Sequence, residues 1–206
     1  CFAGRKANGW MSDCARETAE GVRLARRAVD LDKGDAVALT RSGHTLGLLA
    51  GDIQGGIALL DKALYLNPNL GAARFLGGFL RLWQGDTEAA IEHLARAMRL
   101  SPLDPELYRM QAGMAVAHFF DGRFDVACSW AEKASRDYPG FLLAAAILAA
   151  SNALAGHMAE AEHAMVHVRQ LDPALRLSNI TDWLPIRRPD NLSTLVAGLG
   201  KAGLPE

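Results

Sequence analysis

Residues 69–102 read NLGAARFLGGFLRLWQGDTEAAIEHLARAMRLSP. The part up to Gln84 carries apolar residues at helical spacing around nearly its whole circumference, which predicts a helix that is covered on several sides. Gly85 can adopt the left-handed conformation that ends a helix, and Asp86 or Thr87 can cap the next one. The second part is amphipathic and stops at Pro102, which has no amide donor with which to continue a helix. The stretch therefore predicts two antiparallel helices joined by a short turn.

The same order of Gly, small residue, small residue and Pro recurs along the chain. The four copies are Gly51-Gly56-Ala63-Pro68, Gly85-Ala90-Ala97-Pro102, Gly122-Ala127-Ala134-Pro139 and Gly156-Ala161-Val168-Pro173, separated by 34, 37 and 34 residues. Gly21, Ala28 and Lys33 continue the register upstream, so we expect the chain to begin inside a repeat and to be the C-terminal part of a longer protein. A period of this length is typical of solenoids, whose units bury their apolar faces against one another. We predict five units, the first incomplete, over residues 2–34, 35–68, 69–102, 103–139 and 140–173.

This register resembles the tetratricopeptide repeat, whose unit carries Gly, Ala, Ala and Pro at these relative positions. The resemblance covers about residues 2–173 and implies an all-α, right-handed superhelix of helical hairpins. It also implies that the first helix of each unit lines a concave groove. The positions that commonly face a ligand in this family correspond here to aromatic, cationic and polar residues: Lys6, Trp10, Arg41, Thr45, Phe75, Phe79, Trp83, Arg109, Phe119 and Phe120.

Three interpretations of this groove remain open. Aromatic anchors in a concave surface favour binding of an apolar peptide or helix, with an acidic group near the arginines. Alternatively, these side chains fill the space between adjacent first helices, or the apolar tail segment Trp183-Leu-Pro-Ile186 occupies the groove. The resemblance does not favour a carboxylate clamp for chaperone C-termini, because Thr45 and Phe79 stand where such a clamp needs Asn.

Residues 174–206 form a C-terminal extension in which the repeat stops, with a helix predicted at about residues 189–202. Its leucines and valine fall at i, i+3, i+4 and i+7, which favours a helix that caps the solenoid. Three stretches of this region are Leu171-Asp-Pro-Ala-Leu-Arg-Leu-Ser-Asn-Ile, Trp183-Leu-Pro-Ile-Arg-Arg-Pro189 and Gly198-Leu-Gly-Lys-Ala-Gly-Leu-Pro-Glu206. Together with Arg5-Lys-Ala-Asn-Gly-Trp-Met11, they resemble the C-terminal repeat region of bacterial proteins that begin with a class III adenylate cyclase domain. That resemblance implies a regulatory module whose cyclase domain lies outside this sequence.

Composition and motifs restrict the function further. A net charge of −1 without a basic stripe disfavours nucleic acid as a partner, and the longest apolar stretch, of ten residues, is too short to span a bilayer. Three cysteines without metal-ligand spacing favour a cytoplasmic location. No catalytic motif is present, so we expect neither enzymatic activity nor a cofactor. Glu160, His163 and His167 share a helix face as a weak candidate for a metal site, but ordinary solvent-exposed side chains are the favoured interpretation.

These observations predict a protein-interaction scaffold, or a regulatory module of a larger signalling protein, that binds a protein or peptide in its apolar groove. The alternative is a homodimerisation element that positions two adenylate cyclase domains. Neither interpretation requires nucleic acid or a membrane.

Overall fold

The computed structural model describes residues 2–7 and 11–206, which contain helices and turns and no β-strand. No helix in these ranges has both the length and the apolar character needed to cross a membrane. The α-helices are α1 (Phe2–Ala7), α2 (Cys14–Leu31), α3 (Ala36–Leu49), α4 (Ile53–Leu66), α5 (Gly71–Gln84), α6 (Thr87–Leu100), α7 (Leu107–Phe120), α8 (Phe124–Asp137), α9 (Leu142–Ala155), α10 (Met158–Leu171), α11 (Ile180–Trp183) and α12 (Pro189–Lys201).

Consecutive helices pack as antiparallel hairpins, α3 with α4, α5 with α6, α7 with α8 and α9 with α10. The four turn glycines of the repeat all have positive φ, between 70° and 93°, a conformation that favours glycine. The Asp86 carboxylate caps α6 by accepting a hydrogen bond from the Ala89 amide at 3.2 Å. The predicted all-α solenoid of helical hairpins is therefore confirmed.

The second helix of each unit packs on the first helix of the next, and successive first helices also contact one another. Helix α3 contacts α1 and α5, and α7 contacts α5 and α9, whereas in the described part of the chain no comparable contact joins successive second helices. The side on which neighbouring helices approach most closely is the inner side of a curved stack. We call the surface formed by α1, α3, α5, α7 and α9 the first-helix face.

Small residues allow the two helices of a hairpin to approach closely. Ala90 and Ala97 of α6 are fully buried, and a Cβ atom added at Gly78 of α5 would lie 2.9 Å from Cγ of Leu94. A larger side chain at these positions would force the helices apart, which typically costs about 1–3 kcal/mol.

The tail after the repeats belongs to the same hydrophobic core as the solenoid. Residues of the tail lie in the main buried cluster alongside residues from the second to the fifth unit; these tail residues are Leu175, Ile180, Leu184, Leu195, Leu199, Ala202 and Leu204. Full burial of one Leu or Ile side chain contributes about 1.5–3 kcal/mol. The tail is therefore an integral part of the folded chain.

The tail runs from the fifth unit back to the second and third units, and then returns to the fifth unit. A short 3₁₀ turn at Leu177–Asn179 and α11 lead into residues 184–188, which we call the strap, and α12 then packs on α9. Beyond α12, the Arg169 guanidinium donates to the Gly203 carbonyl, and the Leu177 amide donates to the Pro205 carbonyl at 2.9 Å. These bonds attach the C-terminal end of the tail to the last unit.

Candidate functional site on the first-helix face

Three aromatic residues of the predicted groove form a row along α5. The ring centroids of Phe75 and Phe79 are 5.6 Å apart, and those of Phe79 and Trp83 are 6.0 Å apart. Their spacing of four residues places all three on one side of the helix. Only 4%, 8% and 4% of their surfaces, respectively, are exposed, so a ligand cannot reach the rings in this conformation.

The fourth unit contributes Phe119 and Phe120, whose ring centroids are 6.0 Å apart. Phe119 is fully buried and lies 5.5 Å from the ring of Phe124 on α8, the second helix of its own hairpin. Phe120 is half-buried. Phe119 therefore stabilises the hairpin, and only Phe120 of this pair retains substantial exposed surface.

The strap binds the carboxyl ends of α3 and α5 through three hydrogen bonds. The backbone amide of Arg187 donates to the Trp83 carbonyl at 2.9 Å. The Arg187 guanidinium donates to the Gly51 carbonyl at 2.8 Å, and that of Arg188 donates to the Gly85 carbonyl at 3.3 Å. Carbonyl groups at a helix C-terminus lack intrahelical partners and carry partial negative charge, so they are suitable acceptors for guanidinium groups.

Helix α12 covers the same face at the fifth unit. A Cβ atom added at Gly198 would lie 3.0 Å from Cβ of Ala150 and 3.1 Å from its carbonyl oxygen, so the backbones of α12 and α9 are in close contact. Ala150 has the same place in its repeat as Thr45 and Phe79, two of the predicted groove residues. The tail therefore contacts the first-helix face at the fifth unit, while the rings of Phe75 and Phe79 pack against α7.

The cationic residues of the predicted groove lie on α1, α3 and α7. Arg41 is exposed, and the neighbouring Thr45 is buried with its hydroxyl donating to the Arg41 carbonyl at 2.8 Å. The half-buried Arg109 lies over the ring of Phe75, with 5.5 Å between the guanidinium carbon and the ring centroid, and pairs with Glu106 at 2.5 Å. Lys6 on α1 is exposed, and Trp10 lies outside the described residues.

Buried histidines of the fold are neutral near pH 7. Burial, with smaller contributions from Arg109 and Arg41, lowers the pKa of His44 to about 3. Burial also lowers the pKa of His118 and lowers that of His93 to about 4. His44 on α3 and His93 on α6 are buried, and His118 on α7 is half-buried.

The metal candidate on α10 does not form a site. The imidazole Nε2 of His167 lies 2.8 Å from the Pro139 carbonyl oxygen, a hydrogen-bonding distance. Across residues 2–7 and 11–206, no group of three or more His, Cys, Asp or Glu side chains is placed to hold a metal ion. Glu160, His163 and His167 instead line a cavity beside α9.

Comparison with solved structures shows which fold this arrangement represents. A MamA double mutant (MamA RS-1 ArsTM) superposes with a TM-score of 0.62 at 23% identity, over 78% of this chain and 89% of that one. The type IV pilus biogenesis factor PilW gives a TM-score of 0.69 at 15% identity, over 91% of this chain and 80% of that one. YrrB, described as a TPR protein with an unusual peptide-binding site, gives a TM-score of 0.58 at 17% identity, over 86% of this chain and 90% of that one. The fold is tetratricopeptide-repeat-like.

No family model matches this tetratricopeptide-like chain, and no curated protein matches it. The resemblance of its tail to adenylate cyclase-linked repeat regions gains no support from these comparisons. At identities below 25%, these structural matches show the fold alone.

The two strap arginines are the residues of this face that sequence reasoning missed. Their partners are backbone carbonyls, which every residue possesses, so no motif marks them. The available signal was their position between Pro185 and Pro189, which favours an extended segment.

Proposed function

We propose that this chain is a protein-interaction scaffold, and a regulatory module of a larger signalling protein, that binds a peptide on its first-helix face. The observation that carries the proposal is that this face already accommodates a polypeptide, because the strap donates a backbone hydrogen bond to Trp83. The peptide-binding site named for YrrB, which shares the fold, is consistent with it. Binding in this mode needs no catalytic group, and we propose no enzymatic activity.

The partner binds the part of the face that the tail leaves uncovered. There the exposed Arg41 and the half-buried Arg109 stand near the buried His44, whose pKa both of them lower. Two guanidinium groups over an apolar base favour a carboxylate flanked by apolar residues. Lys6 extends this surface toward the first unit, and Thr45 and Phe75 lie at its base. Trp10, Phe79, Trp83, Phe119 and Phe120 stay predicted members of the site.

Fluorescence anisotropy with two labelled peptides tests the proposal. The probe is a helical peptide with Leu and Glu in alternating turns, and its counterpart has Lys in place of Glu. We expect the acidic peptide to bind and the basic one not to bind. Arg41→Glu should weaken binding about tenfold or more, because it removes a charge-assisted bond and adds repulsion.

Arg99→Glu is the matched control, since Arg99 is exposed on the second helix α6. An equal loss in both variants would show that net charge, and not the first-helix face, determines binding. Binding that is unchanged in Arg41→Glu would refute the proposed site.

The cyclase context rests on the sequence resemblance alone, and the homodimerisation alternative stays a prediction. A chain that remains monomeric at high micromolar concentration in sedimentation velocity would contradict dimerisation. Because Cys14 and Cys128 are free thiols, the cytoplasm remains the proposed compartment.

A further inference from the structure

A cavity of about 450 Å³ opens on the side of the solenoid away from the first-helix face. Helix α9 forms its floor with Ala145, Leu148 and Asn152, and α8 and α10 form its walls. Successive residues on a helix are about 100° apart. Leu148 and Asn152 therefore lie on the side of α9 opposite Ala150, which contacts the tail.

The cavity exists because α9 carries short side chains where α5 and α7 carry long ones. In the third unit, Arg81 reaches from α5 to Asp61 on α4, with 2.6 Å between nitrogen and oxygen. In the fourth, Gln111 reaches from α7 to Asp137 on α8 at 2.9 Å. In the register of the repeat, Asn152 corresponds to Arg81 and Ala145 to Gln111. The gap that these longer side chains fill in the third and fourth units stays open in the fifth.

Asn152 places an unused hydrogen-bond donor at this cavity. The residue is only 6% exposed, and its Oδ1 accepts a hydrogen bond from Sγ of Cys128 at 3.4 Å. Burial raises the pKa of Cys128 to about 11, so the thiol keeps the proton that it donates. Within residues 2–7 and 11–206 the Nδ2 group of Asn152 has no acceptor, although Asn152 lines the cavity. A ligand with a carbonyl group would satisfy this donor.

The walls of the cavity supply negative charge. Glu132 of α8 and Glu160 of α10 line it, and both are exposed. In the part of the chain that the structure describes, neither carboxylate forms an ion pair. The floor beneath them, at Ala145 and Leu148, is apolar.

We propose that this cavity binds a lysine or arginine side chain of a protein partner. The aliphatic stem lies on Ala145 and Leu148, and the cationic head pairs with Glu132 and Glu160, an arrangement suited to side chains with apolar stems and charged ends. Asn152 Nδ2 donates to a backbone carbonyl of the same partner. The site is separate from the first-helix face, so its failure would leave the function proposed for that face unaffected.

NMR titration of the full chain tests this site with two small probes. The cationic probe n-butylguanidinium combines an alkyl stem with a guanidinium group, and n-butylurea is its neutral analogue. We expect n-butylguanidinium to shift the Asn152 side-chain amide and Leu148 methyl signals. The neutral analogue should bind about fivefold more weakly or worse, because it lacks the positive charge that the two carboxylates attract.

Two variants and one control complete the experiment. The double variant Glu132→Gln/Glu160→Gln should lose the preference for the cation, and Ala145→Gln should block the cavity as Gln111 fills its own unit. Glu88→Gln, an exposed change on α6, should bind n-butylguanidinium like the unaltered chain. Equal affinity for the two probes, or shifts confined to residues outside the cavity, would overturn the proposal.

Discussion

The contact between α12 and α9 can be tested by two alanine substitutions within the same helix. Gly198 and Gly200 both lie in α12 (Pro189–Lys201). A Cβ atom at Gly198 would lie 3.0 Å, 3.1 Å and 3.3 Å from Cβ, O and Cα of Ala150. At Gly200, the atom within 4 Å of the added Cβ is the end of the flexible Leu177 side chain, at 3.3 Å. Gly198→Ala therefore pushes on a backbone, whereas Gly200→Ala pushes on a side chain that can move.

The difference between the two variants isolates the packing contact. Each substitution raises the free energy of unfolding by about 0.5–1 kcal/mol through helix propensity, because Ala is a better helix former than Gly. Gly198→Ala additionally forces α12 away from α9, and such overpacking costs about 1–3 kcal/mol. We expect Gly200→Ala to be neutral or stabilising, and Gly198→Ala to have a free energy of unfolding about 2 kcal/mol lower than Gly200→Ala.

Equilibrium urea unfolding followed by circular dichroism and Trp fluorescence measures this difference. With a urea dependence near 3 kcal/mol per M, about 2 kcal/mol lowers the transition midpoint by about 0.7 M. If the two variants are equally stable, α12 does not contact α9 in solution, and the inference that the tail occupies the first-helix face is wrong.

Two further predictions concern the strap and a buried histidine. Gly85 and Gly156 both have φ of 93°, but a Cβ atom at Gly85 would lie 2.0 Å from Cδ of Arg188, and nothing lies within 4 Å of one at Gly156. Gly85→Ala should therefore lower the free energy of unfolding by about 1 kcal/mol more than Gly156→Ala. That excess should vanish in an Arg188→Ala background, and its persistence would place the strap elsewhere. Because the pKa of His44 is lowered to about 3 in the fold, the unfolded chain binds the proton more readily between pH 6.5 and 3. Stability should thus fall by about 2 kcal/mol between pH 8 and 5 through this residue. His44→Gln should remove that part of the pH dependence of urea unfolding, and an unchanged dependence would contradict the burial of a neutral His44.

The helical hairpins could be predicted from sequence because their signals are local. A turn glycine such as Gly85 and a proline such as Pro102 fix where each helix ends, whatever the rest of the chain does. Because the same order of Gly, small residue, small residue and Pro recurs along the chain, the prediction of a hairpin in one unit supports the same prediction in the others. The all-α solenoid follows from these two facts.

The state of the groove could not be predicted, because it depends on contacts between distant parts of the chain. The row from Phe75 to Trp83 is predicted to face the groove, but its exposure depends on the neighbouring helix α7 and on the strap. Arg187 and Arg188 bind backbone carbonyls, and such acceptors have no sequence signature. The cavity in the fifth unit exists because the short side chain of Ala145 leaves space between α8, α9 and α10. That space depends on how the three helices pack, which the sequence pattern does not specify.

The hydrogen bond from Arg187 to Gly51 joins residues that are 136 positions apart. In an ordinary repeat array each unit contacts only its neighbours, so the ends fray independently and stability is nearly a sum of local contributions. Here the strap connects the second and third units to the helix that packs on the fifth. Unfolding of the last repeat would therefore also break the hydrogen bond to the second unit. We expect unfolding of the array to be cooperative across units that share no direct interface. The contacts of the tail therefore connect the end of the array back to its second unit, so we expect the C-terminal residues to be needed for the full stability of the early units.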